Sequence, residues 1–273
     1  MKIFIVSLLF NLPLVFSCAV GASSSEVGPV APSADTIIVM AYNIHHCNPP
    51  SESDHIDVDT IAQVIRKQNP DFVALQEVDV HTNRSGKELD QAKQLAELTG
   101  MHYYFKKAID HDGGEYGVAI LSRWPIQDTA SIQLPIAPDV RHEPRVVALA
   151  TVTLPSGRIV QFASTHLDLT EETRVLQAAE IVARLGIGAG VLVIGGDFNA
   201  RPGSKPIQTL EASFQSSCAP ADCPYTIPVD KPKATIDYLF YRKSASITVL
   251  NHYVVSEKYA SDHLPIVATL RLE

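Results

Sequence analysis

The chain has 273 residues, of which 46% are hydrophobic and 19% are charged, which is enough to bury one large core. The formal net charge is −8, and this excludes a broad basic surface that would hold polyanions unaided. A nucleic-acid substrate would therefore need bound cations or a local basic patch, although the acidity does not exclude a nuclease.

Residues 1–22 carry the features of an export signal. Lys2 supplies the positive start, and residues 3–16 form an apolar run that is too short and too broken for a spanning helix. Cleavage after Ala22 would release a secreted protein. Cleavage before Cys18 would give a lipoprotein, because the residues before it resemble a loose lipobox, and the sequence favours neither site. Both routes predict an exported protein that is periplasmic, secreted or lipid-anchored at Cys18.

A single domain is predicted over residues 35–273, after a linker of small residues and proline over residues 23–34 that we expect to be disordered. The hydrophobic pattern of the domain begins with a strand over residues 36–42. Asp59 is predicted as the N-cap of the next helix, which Pro70 ends.

The middle of the chain alternates between strands and helices. A buried strand over residues 71–76 ends in Glu77, and a second helix covers about residues 88–98 before Gly100. A third helix begins with Glu171 and ends near Gly186. The remaining strands are predicted over residues 102–106, 116–122, 126–134, 145–154, 158–165, 191–194, 235–241, 247–253 and 265–270.

Many strands with a few dispersed helices are typical of two packed sheets flanked by helices, and continuous apolar strands indicate sheets that are covered on both faces. The predicted fold class is therefore α/β (α+β).

Two cysteines lie five positions apart in a loop-like stretch that contains three further turn-forming residues. In an oxidising compartment, Cys218 and Cys223 would close a small disulfide loop, whereas the alternative is two unpaired thiols on a flexible loop. The export signal favours the bond. Cys47 has no obvious partner, and no Cys/His spacing is typical of a zinc site.

Polar side chains follow several apolar strands at the point where each strand ends. They are Asn43, Glu77, His166 with Asp168, Asp197 with Asn199, Asp237, and Asp262 with His263. Strand ends of one sheet meet at one rim, so we expect these groups to gather in a single pocket. Oxygen-rich clusters of this kind bind Mg²⁺, Mn²⁺ or Ca²⁺ rather than zinc.

Seven segments that contain these residues resemble, in order, the endonuclease/exonuclease/phosphatase superfamily, which includes deoxyribonuclease I, exonuclease III, inositol-polyphosphate 5-phosphatases and neutral sphingomyelinases. The segments cover residues 40–43, 71–78, 116–123, 164–168, 195–199, 236–240 and 261–265. The resemblance implies a four-layer α/β sandwich with two mostly antiparallel sheets and a site at one edge of both.

The resemblance also implies a role for each site residue. Glu77, Asn43 and Asp262 would hold Mg²⁺ or Mn²⁺, with Glu77 as the chief ligand. His263 would act as general base on the attacking water, oriented by Asp237.

Other residues would act on the phosphate and the leaving group. Asp197 would position the nucleophile or protonate the leaving group, and Asn199 and His166 would donate hydrogen bonds to the phosphate oxygens. A weaker analogy with deoxyribonucleases pairs Glu115 with His166. His45, His46 and His111 are interpreted as surface or locally hydrogen-bonded residues.

The implied function is metal-dependent hydrolysis of a phosphate ester, whether of a nucleic acid, nucleotide, lipid or sugar phosphate. No protein partner is implied, and we expect a monomer. Two alternatives remain: a lipid phosphodiesterase of sphingomyelinase type, and a non-catalytic surface protein that binds a phosphorylated or glycan ligand. The sequence shows no apolar hairpin for entering membranes, and a binding protein would not need the Asp262-His263 pair.

Overall fold

Two six-stranded β-sheets, packed face to face, form the centre of the fold. The computed structural model describes residue 1, residues 35–138 and residues 143–273. Apart from residue 1, the predicted signal and linker therefore lie outside the described residues. Residues 34–273 form one compact unit. Among the described residues, no helix combines the length and the apolar character that crossing a bilayer requires.

The described residues contain twelve strands and four α-helices, connected in the order that the sequence predicts. The strands are β1 (Asp35–Asn43), β2 (Phe72–Val80), β3 (His102–His111), β4 (Gly114–Ser122), β5 (Ile126–Gln133), β6 (Val146–Thr153), β7 (Ile159–His166), β8 (Val191–Asp197), β9 (Phe214–Ser216), β10 (Asp237–Arg242), β11 (Ile247–Val254) and β12 (Ile266–Leu272). The helices are α1 (Val58–Gln68), α2 (Gln91–Thr99), α3 (Glu171–Leu185) and α4 (Lys205–Leu210).

Each sheet has one parallel pair at its centre and antiparallel pairs on either side. The first sheet has the order β11-β12-β1-β2-β4-β3, with β1 and β2 parallel. The second has the order β5-β6-β7-β8-β10-β9, with β7 and β8 parallel. The fold class and the mostly antiparallel pairing that the sequence predicts are confirmed.

Three separate apolar clusters hold the layers together. One lies between the sheets and includes Phe72 and Phe162, whose rings stack at 5.1 Å. The second packs α1 and α2 on the outer face of the first sheet, and the third packs α3 and α4 on the second. Both sheets are thus covered on both faces, which explains why their strands read as continuous apolar runs.

The N-terminal cap of α1 differs from the prediction. Asp57, not Asp59, is the N-cap, and its side chain accepts a hydrogen bond from the Thr60 amide at 2.9 Å. Asp59 lies one residue inside the first turn, where a carboxylate is also favourable because of the helix dipole. Two aspartates that lie two positions apart therefore make the cap ambiguous by sequence alone.

Several other boundaries were wrong, most of all that of β3, which was predicted to end at residue 106 and continues to His111, and a short helix and a short strand were missed. Strand β2 does not end at Glu77 but continues to Val80, with a shift of pairing register against β4 between Leu75 and Val78. Helix α2 begins at Gln91 after the Asp90 cap. The six residues of α4 and the three of β9 are too short to leave a periodic signal.

Candidate active site

The ends of five strands meet at one edge of the two sheets, as the sequence predicts. In the second sheet, His166, Asp197 and Asp237 are directly opposite one another on neighbouring strands. In the first sheet, Asn43 at the end of β1 is opposite Gln76 on β2. Because residues opposite each other in a sheet face the same side, the pairing register alone brings these polar side chains together.

Close approach of the two sheets below this edge depends on Gly195. A Cβ atom there would lie 2.8 Å from Ala74 Cβ and 3.2 Å from Ala41 Cβ of the other sheet. Polar contacts continue the connection: Gln76 Nε2 donates to Ser164 Oγ at 3.0 Å across the gap. The sheets are thus held close enough for side chains of both to meet.

A β-bulge directs Glu77 to this edge. Its φ of +58° is left-handed, a conformation that costs a non-glycine residue about 1 kcal/mol or more, and it falls at the register shift of β2. In a regular strand, Glu77 would face the helix layer, opposite to Gln76. The bulge instead brings its Oε1 atom to within 3.0 Å of Asn43 Nδ2.

Asn43 joins the two sheets at the site. Its fully buried amide nitrogen donates to Glu77 Oε1 at 3.0 Å and to Asp197 Oδ2 at 3.1 Å. The amide oxygen accepts from the His45 backbone amide at 3.1 Å. The Asn43 amide nitrogen thus lies between the carboxylates of Glu77 and Asp197 and donates to both. A cation would also be stabilised by these two carboxylates.

His263 lies between two buried carboxylates. Its Nδ1 is 3.1 and 3.0 Å from the two oxygens of Asp237, and its Nε2 is 3.7 Å from Asp197 Oδ2. The backbone amide of His263 donates to Ser261 Oγ, which itself donates to the Asn43 carbonyl at 2.7 Å. The imidazole is therefore oriented, with Nε2 left to act on a substrate or a water molecule.

Taken together, burial and neighbouring charges raise the pKa values of both His263 and Asp197. Burial lowers the pKa of His263, but the charges of Asp237 and Asp197 outweigh it and raise the pKa to about 10. Burial and the charge of Asp237 raise the pKa of Asp197 to about 7. Acidic and basic groups with displaced pKa values, gathered at one edge, are typical of a catalytic site.

His166 and Asn199 lie on the other side of Asp197. His166 Nε2 is 3.5 Å from Asp197 Oδ2 and 3.1 Å from Asn199 Nδ2. The Asn199 amide donates to Asp197 Oδ1 at 2.8 Å, in a left-handed turn with φ of +49°. Burial, with the charges of Arg145 and His263, holds the pKa of His166 well below its usual range, so this imidazole is neutral.

Glu115 does not pair with His166, contrary to the deoxyribonuclease analogy. Its carboxylate lies 3.3 Å from Lys107 Nζ, and among the described residues His166 Nδ1 has no hydrogen-bond partner. Tyr116, the next residue of β4, faces the site, so the alternation of side chains along a strand directs Glu115 to the opposite face.

Three potential ligand atoms lie within 4.8 Å of one another on Asp197, Asp237 and His263. Both oxygens of Asp237 already contact His263 Nδ1, so this cluster has the geometry of a proton-transfer pair rather than of an ion cage. Among the described residues, the second carboxylate oxygen of Glu77 has no hydrogen-bond partner, and the charge of Asp262 acts on both His263 and His46. A site for a cation is therefore better placed on the Glu77 side.

A cavity of about 180 Å³, which no motif of the sequence predicts, opens beside Glu77. Its other walls are His45, His46, Arg84, His111, Tyr116 and Glu143. His45 makes the local hydrogen bond that was expected, to Asn48, yet it also lines this cavity. Burial, followed by the charge of Arg84, lowers the pKa of His46 to about 4.

A larger cavity of about 750 Å³ lies elsewhere, by Ser217 and Cys218, and contains none of the residues of this site.

Cys218 and Cys223 are joined by a disulfide in the structure, the pairing that the export signal favours. Cys47 is a fully buried free thiol, and burial raises its pKa well above the usual range. No zinc-type cluster of cysteine and histidine occurs among the described residues.

Residues 40–263 match the endonuclease/exonuclease/phosphatase family. The chain belongs to this family. Members of the family generally hydrolyse phosphoester bonds, and they typically use divalent metal ions. The match extends from the end of β1 to His263 and so includes all the residues of the site described above.

Solved structures of the family share the fold. An endonuclease/exonuclease/phosphatase from Beutenbergia cavernae has 24% identity and a TM-score of 0.73, over 87% of this chain and 72% of that one. A mannosyl-6-phosphatase from Bacteroides thetaiotaomicron has 22% identity and a TM-score of 0.69, over 86% and 99%. The catalytic domain of human Nocturnin, with a bound sulfate anion, has 24% identity and a TM-score of 0.69, over 88% and 97%. Among curated protein sequences, none matches this chain at a significant level.

Proposed function

We propose that this member of the family is a divalent-metal-dependent phosphoesterase. The observation that supports the proposal is the contact of both Asp237 oxygens with His263 Nδ1, beside the hydrogen-bonded group of Asn43, Glu77 and Asp197. An oriented imidazole next to an oxygen-rich group supplies both a proton acceptor and a place for positive charge at one edge.

The residues on the Glu77 side fit a hard cation. Carboxylate and amide oxygens are the ligands that Mg²⁺ and Mn²⁺ prefer, and Glu77 with Asp262 supplies two carboxylates. Rotation of the Asn43 amide by 180° would present its oxygen to the same space, because the two ends of the amide have the same shape. When bound, the ion supplies positive charge that neutralises the phosphate oxygens, polarises the phosphoryl group and lowers the pKa of His263.

His263 takes the proton of the attacking water. The water oxygen forms the new bond to phosphorus as the ester P–O bond breaks, and Nε2 accepts the proton. Asp237 fixes the tautomer of the ring and stabilises the imidazolium that forms, as a carboxylate does in other hydrolases.

Asp197 serves the leaving group. With a pKa of about 7, its carboxyl is partly protonated at neutral pH and can return a proton to the departing oxygen. Asn199 and His166 lie within 3.1 Å of each other beside it, and we assign them to the non-bridging phosphate oxygens. Asn199 Nδ2 donates to His166 Nε2 and to the Leu167 carbonyl in the free protein, so it would exchange the first of these bonds for one to the phosphate.

A substrate panel tests the proposal. Nucleotides, DNA, RNA, sugar and inositol phosphates, phospholipids and bis-p-nitrophenyl phosphate are incubated with the full chain and Mg²⁺ or Mn²⁺, with and without chelator. We expect turnover of at least one ester that chelator abolishes. His263→Ala and Glu77→Gln should lower kcat by about 10²–10⁴-fold, because each removes a group that acts in the transition state.

Binding of the ion gives a second, independent measurement. The thermal midpoint of the wild-type protein should rise by several degrees in Mn²⁺, since a ligand at about 100 times its Kd stabilises by about 2.7 kcal/mol. Glu77→Gln should remove most of that shift, whereas Glu180→Gln, a change of the same kind on α3, should keep it. Full activity of both the Glu77 and His263 variants on every active ester would refute the proposal.

We also propose that the protein is exported, from the positive start, the apolar run and the small residues of residues 1–22. Fractionation of the producing cells, followed by mass determination of the mature chain, tests it. A mature N-terminus at Ser23 indicates a secreted protein, and a lipid on Cys18 an anchored one. An intact N-terminus in the cytoplasm would contradict export.

A further inference from the structure

The cavity beside Glu77 has the size of one small ring. Its volume of about 180 Å³ equals that of about six water molecules, well below the roughly 300–1,000 Å³ of pockets that hold drug-sized ligands. It opens next to the carboxylate that the proposed function assigns to the metal. A group bound there would therefore be the part of the substrate that is directly esterified to the phosphate.

The walls of this cavity are polar and able both to donate and to accept hydrogen bonds. Imidazole rings of His46 and His111 and the hydroxyl of Tyr116 can serve either role, and the guanidinium of Arg84 can donate. His46 Nδ1 is buried without a hydrogen-bond partner among the described residues. A hydroxyl group, which also donates and accepts, is the complement of such a wall.

Arg84 is held rigidly at the cavity. Its Nε and Nη2 atoms donate to the two oxygens of Asp79 at 2.7 and 2.8 Å, while Nη1 has no hydrogen-bond partner within the described part of the chain. Asp79 is fully buried and also accepts from Thr82 and Ser85. The guanidinium lies 5.7 Å from the centre of the Tyr116 ring. A guanidinium fixed on one side in this way is preorganised to bind a ligand on the other.

The turn that carries His46 is strained. Three consecutive residues, His45, His46 and Cys47, have φ values of +45°, +41° and +58°, and each left-handed residue costs of order 1 kcal/mol or more. Gln91 Nε2 stabilises the turn by donating to the His46 carbonyl at 2.6 Å. Its Oε1 accepts from the Asp79 amide at 2.8 Å, so one side chain connects the turn with the Arg84 anchor.

From this cavity we propose, on the basis of the phosphoesterase function above, that the substrate is the phosphomonoester of a single hydroxylated ring, a sugar or a cyclic polyol. Arg84 and His46 bind the ring hydroxyls and determine this specificity. The phosphate lies at Glu77 and the ring in the cavity. Water attack at phosphorus then releases the free ring alcohol and inorganic phosphate.

Nucleotides and lipids are the competing ester classes. A nucleobase stacks on aromatic faces, and Tyr116 and three histidines supply rings at this cavity, so activity on nucleotides is an arm of the test below. An acyl chain would need an apolar groove, which these polar walls do not supply.

Comparison of two substrates on the same variants tests the proposal. The measured quantity is the ratio of kcat/KM for a ring phosphate (mannose 6-phosphate, glucose 6-phosphate or myo-inositol 1-phosphate) to kcat/KM for p-nitrophenyl phosphate, with Mg²⁺ or Mn²⁺. Arg84→Lys loses the planar fork, and His46→Asn keeps a residue that tolerates a left-handed φ. Each should lower the ratio about tenfold or more, mainly through KM.

Arg123→Lys is the matched control. Arg123 also contacts a carboxylate, Asp71, at 2.6 Å, but at the opposite end of β2. This variant should keep the wild-type ratio. A variant that is merely destabilised would lower both activities together and leave the ratio unchanged, and that result for both Arg84→Lys and His46→Asn would overturn the proposal.

The two proposals fail in different ways. If the wild-type protein hydrolyses bis-p-nitrophenyl phosphate, nucleotides or RNA better than every ring phosphate, the phosphoesterase function stands and the ring specificity falls. If it hydrolyses no phosphate ester with any divalent ion, both are overturned.

Discussion

Two histidines of this protein, the buried His263 and the half-buried His252, have opposite electrostatic environments. His263 lies between Asp237 and Asp197, and their charges raise its pKa to about 10 in spite of burial. His252 Nδ1 shares a hydrogen bond with a neutral hydroxyl, Ser217 Oγ, at 2.8 Å, and burial lowers its pKa to about 4. The same side chain is therefore suited to hold a proton in one place and to exclude it in the other.

The low pKa of His252 predicts a loss of stability in acid. Its ordinary pKa is 6.5, so the unfolded chain takes up a proton as the pH falls from about 6.5 to 4, while the folded protein does not. The stabilisation present above pH 6.5 is lost over that window. It amounts to about 3 kcal/mol, since one pKa unit corresponds to about 1.4 kcal/mol.

Urea denaturation at pH 7 and pH 4.5 measures this effect. The free energy of unfolding of His252→Gln should fall less between the two pH values than that of the wild type, by about 2–3 kcal/mol. His55→Gln, which changes an exposed histidine, should behave as the wild type does. Equal pH dependence of His252→Gln and wild type would refute the assignment.

At the scale of elements, irregularities of strands position the site. The bulge in β2 directs Glu77 to the edge, and the left-handed Asn199 after β8 brings its side chain back to His166. Gly195 in β8 lets the two sheets approach. Regular strands would build the same core but would not gather these side chains.

Substitution of Gly195 tests the close approach of the sheets. In Gly195→Ala, the new Cβ would meet Ala74 Cβ at 2.8 Å and Leu239 Cδ2 at 3.1 Å, so the strands must move apart. We expect a loss of about 1–3 kcal/mol in the free energy of unfolding, as for other overpacked cores. Urea denaturation measures it.

Gly190→Ala is the control for this change, because nothing lies within 4 Å of a Cβ at that position and its φ is not left-handed. The stability of this variant should stay within about 0.5 kcal/mol of the wild type. If both variants lost the same stability, the packing explanation for Gly195 would be wrong.

At the scale of the whole molecule, the topology places the chemistry. Each sheet has a central parallel pair, so β1 and β2 end at the same edge as β7 and β8. The antiparallel strands β10 and β12 begin there, which adds Asp237 and His263 from the C-terminal part of the chain. Residues more than 200 positions apart therefore meet at this edge. The two helical layers cover the outer faces, and Gln91 at the start of α2 also supports the cavity beside the site.

Local patterns in the sequence determine the elements and their order. Apolar runs mark the strands, and Gly100 ends α2 in the left-handed conformation that glycine tolerates. Polar residues after apolar strands indicate the site, since an apolar strand has no structural need of them. These signals are short-range, and each is complete within a few residues of the chain.

Only the tertiary structure decides what depends on distant contacts. The bulge at Glu77 forms through pairing with β4. Glu115 pairs with Lys107 because of the face of β4 on which it lies. His46 and Arg84 line one cavity because Gln91 connects their loops. None of these has a local signature, because the energy that holds them comes from residues far away in sequence. The composition of the site can therefore be predicted from the sequence, and the shape of the pocket beside it cannot.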